Sequence, residues 1–338
     1  LFVEMLREPG MRQKDLDRLR DRRKASLVQA RATPSSIAGR VNPSLVWGDK
    51  HPYGLIDTEK TLDAVKLGDC KKIAGTLRPD GARLFVVGMI TEDELRAAFD
   101  ARLGKWKGKA PQAKKVPDAK PKSGAIYLVD APGAAQSVIS IGHPGPERQA
   151  PDYEATYLMA QILGGSFSSR INMNLREDKG FAYGGRGSFY YARHGSRLAA
   201  GASVRTDATG QSLREVAKEI QGMRAAPPTP EEVQREKAGA IAALPAKFST
   251  PTRTLFAFKS LAFYDLPLDW YNGYTQRIAA ADPAAIHKAA QDHLQESDFV
   301  VLVVGDASVI KDDLQKIADE KLFGDGGLVL LDADGAKL

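Results

Sequence analysis

What this sequence has little of narrows the possibilities first. A single cysteine, Cys70, in 338 residues excludes a disulfide framework and any cysteine-rich zinc site. It leaves the compartment open, because an exported protein can also lack disulfides. The longest clean apolar runs, such as Leu84–Val87 and Phe299–Val304, are strand-sized, far short of the roughly 20 residues a membrane helix needs. Histidine is scarce as well. None of the five stands in H-E-x-x-H or in the inverted H-x-x-E-H. The nearest approach is His293-Leu-Gln-Glu296, but Ser297 follows where a second histidine should stand. His287 lies six positions before His293, and a helix would turn it to another face. These residues supply no zinc site of their own.

What is present describes a folded chain. Hydrophobic residues make up 43% and charged residues 27%, which excludes wholesale disorder and leaves room for about two domains. The formal charge of +6 invites a nucleic-acid reading, but seven lysines against one aspartate in Lys105–Lys122 account for all of it. A nucleic-acid binder spreads its basic face over folded elements. A Lys/Pro/Gly stretch of this kind reads as a solvated linker instead, so no nucleic-acid partner is expected. The chain opens at Leu1, inside an apparent helical pattern and without an initiator methionine. The expectation is a chain cut short at its N-terminus, with a first domain missing its opening half.

The periodicity predicts a long charged helix over Met11–Ala30. Thr91 and Glu94 form a capping box, so a helix should run from there to about Leu103. Before it, Arg83–Val87 reads as a buried strand. After the linker, strands are expected at Ala125–Val129, Gln136–Gly142, Phe181–Tyr191, Arg197–Thr206, Phe299–Val304 and Gly327–Leu331. Helices are expected at Pro151–Leu163, Ser168–Lys179, after Thr229-Pro230, over Ala284–Leu294 and over Ser308–Ala318. Leu77–Gly88 and Leu294–Gly305 share one layout of helix end, turn, apolar strand and glycine, with eleven residues from Leu to Gly. Such self-similarity suggests two related domains. The division expected is 1–104, a linker at 105–123 and a second domain at 124–338.

Chemistry-bearing motifs are few. Gly164-Gly-Ser-Phe-Ser168 lacks the closing glycine of a nucleophile elbow. Gly184-Gly-Arg-Gly187 has no Lys-Ser/Thr pair to hold phosphate, and reads as a turn or bulge. The informative stretch is Ile162–Tyr183, ILGGSFSSRINMNLREDKGFAY. Arg176 falls in the last turn of a helix, and Tyr183 opens the strand that returns after Gly180. Together they offer a permanent cation and a phenolic donor, which suits a developing oxyanion. The plainer alternative pairs Arg176 with Glu177 or with the helix C-terminus, and packs Tyr183 in the sheet.

The string LGGSFSSRINMNLREDKGFAYG resembles the second-domain signature of the pitrilysin/insulinase family of zinc metallopeptidases. His51-Pro-Tyr-Gly54, Gln136-Ser-Val, Pro146-x-Arg148, Leu266-Pro-Leu-Asp269 and Val303-Val-Gly-Asp306 resemble that family in the expected order. The tail Gly327–Gly335 is similar to the close of long bacterial members. The resemblance implies an α+β fold of two related domains, each a mixed or antiparallel sheet with helices packed on one face. It also implies two halves closing over an unfolded peptide, with zinc in one half and an Arg/Tyr pair lent by the other, matched here by Arg176 and Tyr183. Gln136, Ser137, Gly184 and Gly185 are further candidates to meet the peptide.

The zinc motif is not identifiable in this chain. The expectation is therefore a non-catalytic, peptide-gripping half with no cofactor of its own. Its partner would be a zinc-bearing half, in the same polypeptide or a separate subunit. The alternatives are a proteolytically inactive structural or regulatory subunit, or a fragment of an active half whose H-x-x-E-H segment is missing. Periplasmic or exported placement is favoured over cytoplasmic because long bacterial relatives are often exported.

Overall fold

A computed structural model describes residues 2–338. The N-terminal third is helical: α1 (Phe2–Arg7), α2 (Gln13–Arg31), α3 (Pro34–Trp47), α4 (Glu59–Ala64), α5 (Leu67–Ala74) and α6 (Glu92–Leu103). The sheet begins after the lysine-rich stretch with β1 (Ile126–Asp130) and β2 (Gln136–Gly145). Next come α7 (Tyr153–Leu163), the short α8 (Arg170–Asn172), β3 (Ala182–Tyr191) and β4 (Ser196–Arg205). The helices α9 (Thr209–Ala225), α10 (Pro230–Ala242), α11 (Pro251–Phe263), α12 (Tyr274–Ala280) and α13 (Pro283–His293) follow. The chain closes with β5 (Val300–Gly305), α14 (Ala307–Asp319) and β6 (Leu328–Leu331).

The strands form one six-stranded mixed sheet in the order β3-β4-β2-β5-β1-β6. β5 runs parallel to β1 and antiparallel to β2. Every residue of β5 is buried, as a Val-rich strand covered on both faces should be. Its alternation splits the core. Val301 and Val303 face the large cluster with Leu158, Ile162, Leu213 and Ile317 from the helices. Val300, Leu302 and Val304 face a second cluster built on Ile37, Val41, Leu45 and Val46 of α3. The mixed-sheet α+β architecture is thus present, and the face opposite the main helical layer is covered by α3.

The compact units divide the chain differently from the sequence-based boundaries. One comprises residues up to Gln29 with Asp57–Lys115 and Pro245–Ser260; the other comprises Ala30–Ile56, Val116–Leu244 and Leu261–Leu338. The physical reason for the early segment joining the sheet-bearing unit is α3, whose apolar side the second face of that sheet needs. The backbone of the lysine-rich stretch ties into the same unit at its far end: the Lys120 and Lys122 N–H groups donate to the Trp47 and Leu45 carbonyls.

The strand expected at Arg83–Val87 is absent. These residues are irregular, no described residue pairs with them, and Leu84 and Val86 are exposed. A strand exists only with a hydrogen-bonded neighbour, and an apolar run cannot supply one by itself. The predicted capping box of α6 is present, with Thr91 Oγ1 accepting from Glu94 N–H and the Glu94 carboxylate from Thr91 N–H.

Candidate functional site

The chain from Leu163 to Tyr183 is folded by a sequence of local constraints. α7 ends at Gly164, where a Cβ would sit 2.1 Å from the backbone nitrogen of Gly187. Only glycine allows that approach, which lets Gly187 N–H donate to the Gly164 carbonyl at 3.0 Å. The loop then carries Phe167 into solvent and enters α8 at Arg170. The Arg170 guanidinium makes a two-pronged pair with the Glu232 carboxylate of α10, at 2.7 and 2.8 Å. Burial alone would raise the Glu232 pKa, but this pair and the Thr229 N–H pull it below the usual range. Glu232 therefore stays charged and holds the start of α8.

The expected helix over Ser168–Lys179 is only partly α-helical. From Met173 to Asp178 it widens into a π-turn, with Lys179 N–H donating to the Asn174 carbonyl, five residues back, at 3.0 Å. Such turns recur at functional sites. Asn174 anchors this one: its Nδ2 donates to Glu215 at 2.9 Å and to Glu219 at 2.7 Å, both on α9. Gly180 follows with φ +63°, the left-handed turn that returns the chain into β3.

The widened turn and the returning strand bring Arg176 and Tyr183 together. The guanidinium carbon lies 5.2 Å from the centre of the Tyr183 ring and 4.8 Å from that of Phe167. The cation is thus held between two aromatic faces, an arrangement worth about 0.5–1 kcal/mol where solvent reaches it. Its Nε also pairs with Glu177 Oε1 at 3.1 Å, as the plainer alternative anticipated. Tyr183 is not packed in the sheet. It is 87% exposed, and its hydroxyl makes no hydrogen bond within the described residues.

Both side chains line a groove of about 620 Å³, whose walls include Gln136, Gly184 and Gly185. Gly185 is already committed, since its N–H donates to Asn172 Oδ1 at 3.0 Å. Ser137 is a correction. It is completely buried and its hydroxyl accepts from Thr209 Oγ1 at 2.8 Å. Neighbouring residues in a strand point to opposite faces, so with Gln136 in the groove Ser137 turns away from it. Sequence reasoning missed Asn172, whose Nδ2 donates to the Phe167 carbonyl at 2.6 Å and so ties the loop to the β3 bulge. It also missed Phe167 and Arg186 on the groove wall. A phenylalanine among small polar residues and an arginine inside a glycine run were the available signals.

The histidines do not offer a metal-binding set. His51 Nδ1 accepts from Tyr53 N–H at 3.0 Å and its ring stacks on Trp47. His287 Nε2 meets the Arg224 carbonyl at 2.8 Å, and His293 Nε2 meets Asp152 at 2.6 Å. Among the described residues no group of three or more His, Cys, Asp or Glu side chains could hold a metal ion. Among the described residues no helix is long and apolar enough to cross a membrane.

Comparison with known proteins bears on this geometry. No curated protein matches the sequence. Among solved structures, the fold is similar to a peptidase M16 inactive domain from Pseudomonas fluorescens, at 21% identity and a TM-score of 0.78, covering 90% of this chain and 73% of that one. A protease from Helicobacter pylori is similar at 16% identity and a TM-score of 0.74, with 90% and 75% covered. A chain of complex III2 from Candida albicans, bound to Inz-5, is similar at 15% identity and a TM-score of 0.70, with 95% and 76% covered. At these identities the likeness is one of fold. The sequence itself matches a family model over residues 76–240, a stretch that contains the π-turn, Arg176 and Tyr183. That model describes the Peptidase M16 inactive domain, to which residues 76–240 of this chain are similar.

Proposed function

We propose that this chain is the non-catalytic, substrate-gripping half of a two-part zinc peptidase. The zinc belongs to a partner half, in the same polypeptide or a separate subunit, and the substrate is an unfolded peptide. One observation carries the reading: Arg176 and Tyr183 meet on the lining of a groove, with the Tyr183 hydroxyl unused and the side chain exposed. An extended peptide lying along the groove presents carbonyl oxygens as acceptors. Arg176 and the Tyr183 O–H are donors able to hold such an oxygen and to strengthen their hold as negative charge develops on it. Gln136 and the backbone at Gly184 border the same path. Exported or periplasmic placement goes with this proposal.

In the enzyme assembled with its zinc-bearing half, Arg176→Ala and Tyr183→Phe should each lower turnover of a quenched fluorescent peptide by roughly 10²-fold. Tyr183→Phe keeps the ring against Arg176 and removes only the hydroxyl, so it separates donation from packing. Unchanged turnover in both variants would refute the gripping role. The complex III2 chain from Candida albicans, similar in fold, motivates a second reading as a structural subunit. That reading requires a stable complex with no peptidase activity in any combination.

A further inference from the structure

The groove that holds Arg176 and Tyr183 contains a second guanidinium, Arg186. We infer that Arg186 is a specificity residue that selects a peptide carrying a carboxylate, and this rests on the peptide-gripping reading of the groove. Arg186 is exposed on β3 and has no hydrogen-bond, ion-pair or ring partner among the described residues. The strand beside it explains why. Arg186 stands in register with Gly201 of β4, and a Cβ at Gly201 would lie 2.0 Å from the Ile139 carbonyl oxygen. That position can carry no side chain to cover or neutralise its neighbour.

No aspartate or glutamate lines the groove. Two carboxylates touch its lining residues, and both are engaged. Glu177 pairs with Arg176 at 3.1 Å. Glu236 accepts from Ser166 Oγ at 2.9 Å and from Arg235 Nε at 3.0 Å. With those charges matched, Arg186 leaves the groove one positive charge in excess. A guanidinium presents a planar fork suited to a carboxylate, and a groove wall screens that pair less than open surface does. The carboxylate can be an Asp or Glu side chain of the bound peptide or its C-terminal group.

Fluorescence anisotropy of the full chain with three labelled peptides tests this. The first is uncharged, with blocked ends; the second replaces one central glutamine with glutamate; the third keeps the uncharged sequence but frees the C-terminal carboxylate. One or both carboxylate peptides should bind about five- to tenfold more tightly than the neutral one at low salt, and the gap should close near 0.5 M salt. Whichever peptide shows the gap identifies the source of the carboxylate. Arg186→Gln should erase the gap and leave neutral-peptide affinity within about twofold, and Arg186→Glu should reverse the preference, so that the neutral peptide binds more tightly than the carboxylate peptides. No gap in the parent chain, or a gap that survives Arg186→Gln, would overturn the inference while the gripping role stands. Failure of all three peptides to bind would remove the gripping role itself, and the inference with it.

Discussion

At the residue scale the molecule separates groups that are spent from groups that are held ready. His143 is spent. It is fully buried in β2, its Nδ1–H donates to the Pro144 carbonyl at 2.6 Å, and Nε2 has no partner. Burial pushes its pKa below 6.5, with the Pro144 carbonyl and Asp298 opposing. His51 is lowered too, by burial and by His194. A lowered folded-state pKa means the unfolded chain binds more protons in the window just below pH 6.5. Stability is therefore kept above about pH 6.5 and lost as pH falls below it. His143→Phe should flatten that decline, by at most one proton or ~1.4 kcal/mol per pH unit. Urea unfolding at pH 7.5, 6.0 and 5.0 measures it, and an unaltered decline in the variant would acquit His143. The approach of Arg176 to Tyr183 was legible from their spacing around a glycine turn. Ser137 was misjudged because neighbours in a strand share a motif but not a face. Asn172 gave no signal, since its value lies in bridging two backbone groups brought together only by the fold.

At the scale of elements, two apolar runs with one layout meet different fates. Val300–Gly305 is a fully buried strand between β1 and β2. Leu84–Gly88 is irregular, with Leu84 51%, Val86 42% and Val87 39% exposed. Local sequence reports β propensity, and pairing decides whether it is realised. Every other predicted strand appears within three residues of its expected bounds, because each has a partner and an apolar face to bury. The π-turn was beyond reach, since it depends on Asn174 finding Glu215 and Glu219 on α9. The close approach of Gly164 to Gly187 is a second element-scale device. Gly164→Ala should force the α7 end from β3 and cost about 1–3 kcal/mol, read as a lower urea midpoint. It should also weaken peptide binding, because the displaced loop carries Phe167. A midpoint equal to the parent's would contradict the tight contact.

Across the whole molecule, apolar burial is concentrated. Both hydrophobic clusters consist of residues from the sheet-bearing unit. Among the described residues the other unit contributes only Leu27 and Ala257 to the buried apolar residues. Burial is the main force opposing chain entropy, so local stability should follow it. Amide exchange at Asp57–Lys115 should therefore outpace exchange in β1, β2 and β5 by several orders of magnitude. Equal protection in both would refute that ranking. The excess positive charge was legible in the sequence as one lysine-rich stretch, and its lack of regular structure agrees with a role other than a folded basic face. The division of the chain was not legible, because α3 precedes the linker in sequence yet packs on the sheet that follows it.

The most direct measurement is cleavage of a quenched fluorescent peptide by the zinc-bearing half, alone and with this chain added. Activity should appear only when both are present, and should fall by roughly 10²-fold when the added chain carries Tyr183→Phe. A zinc-bearing half that is equally active alone, and indifferent to the Tyr183 variant, would contradict the gripping role.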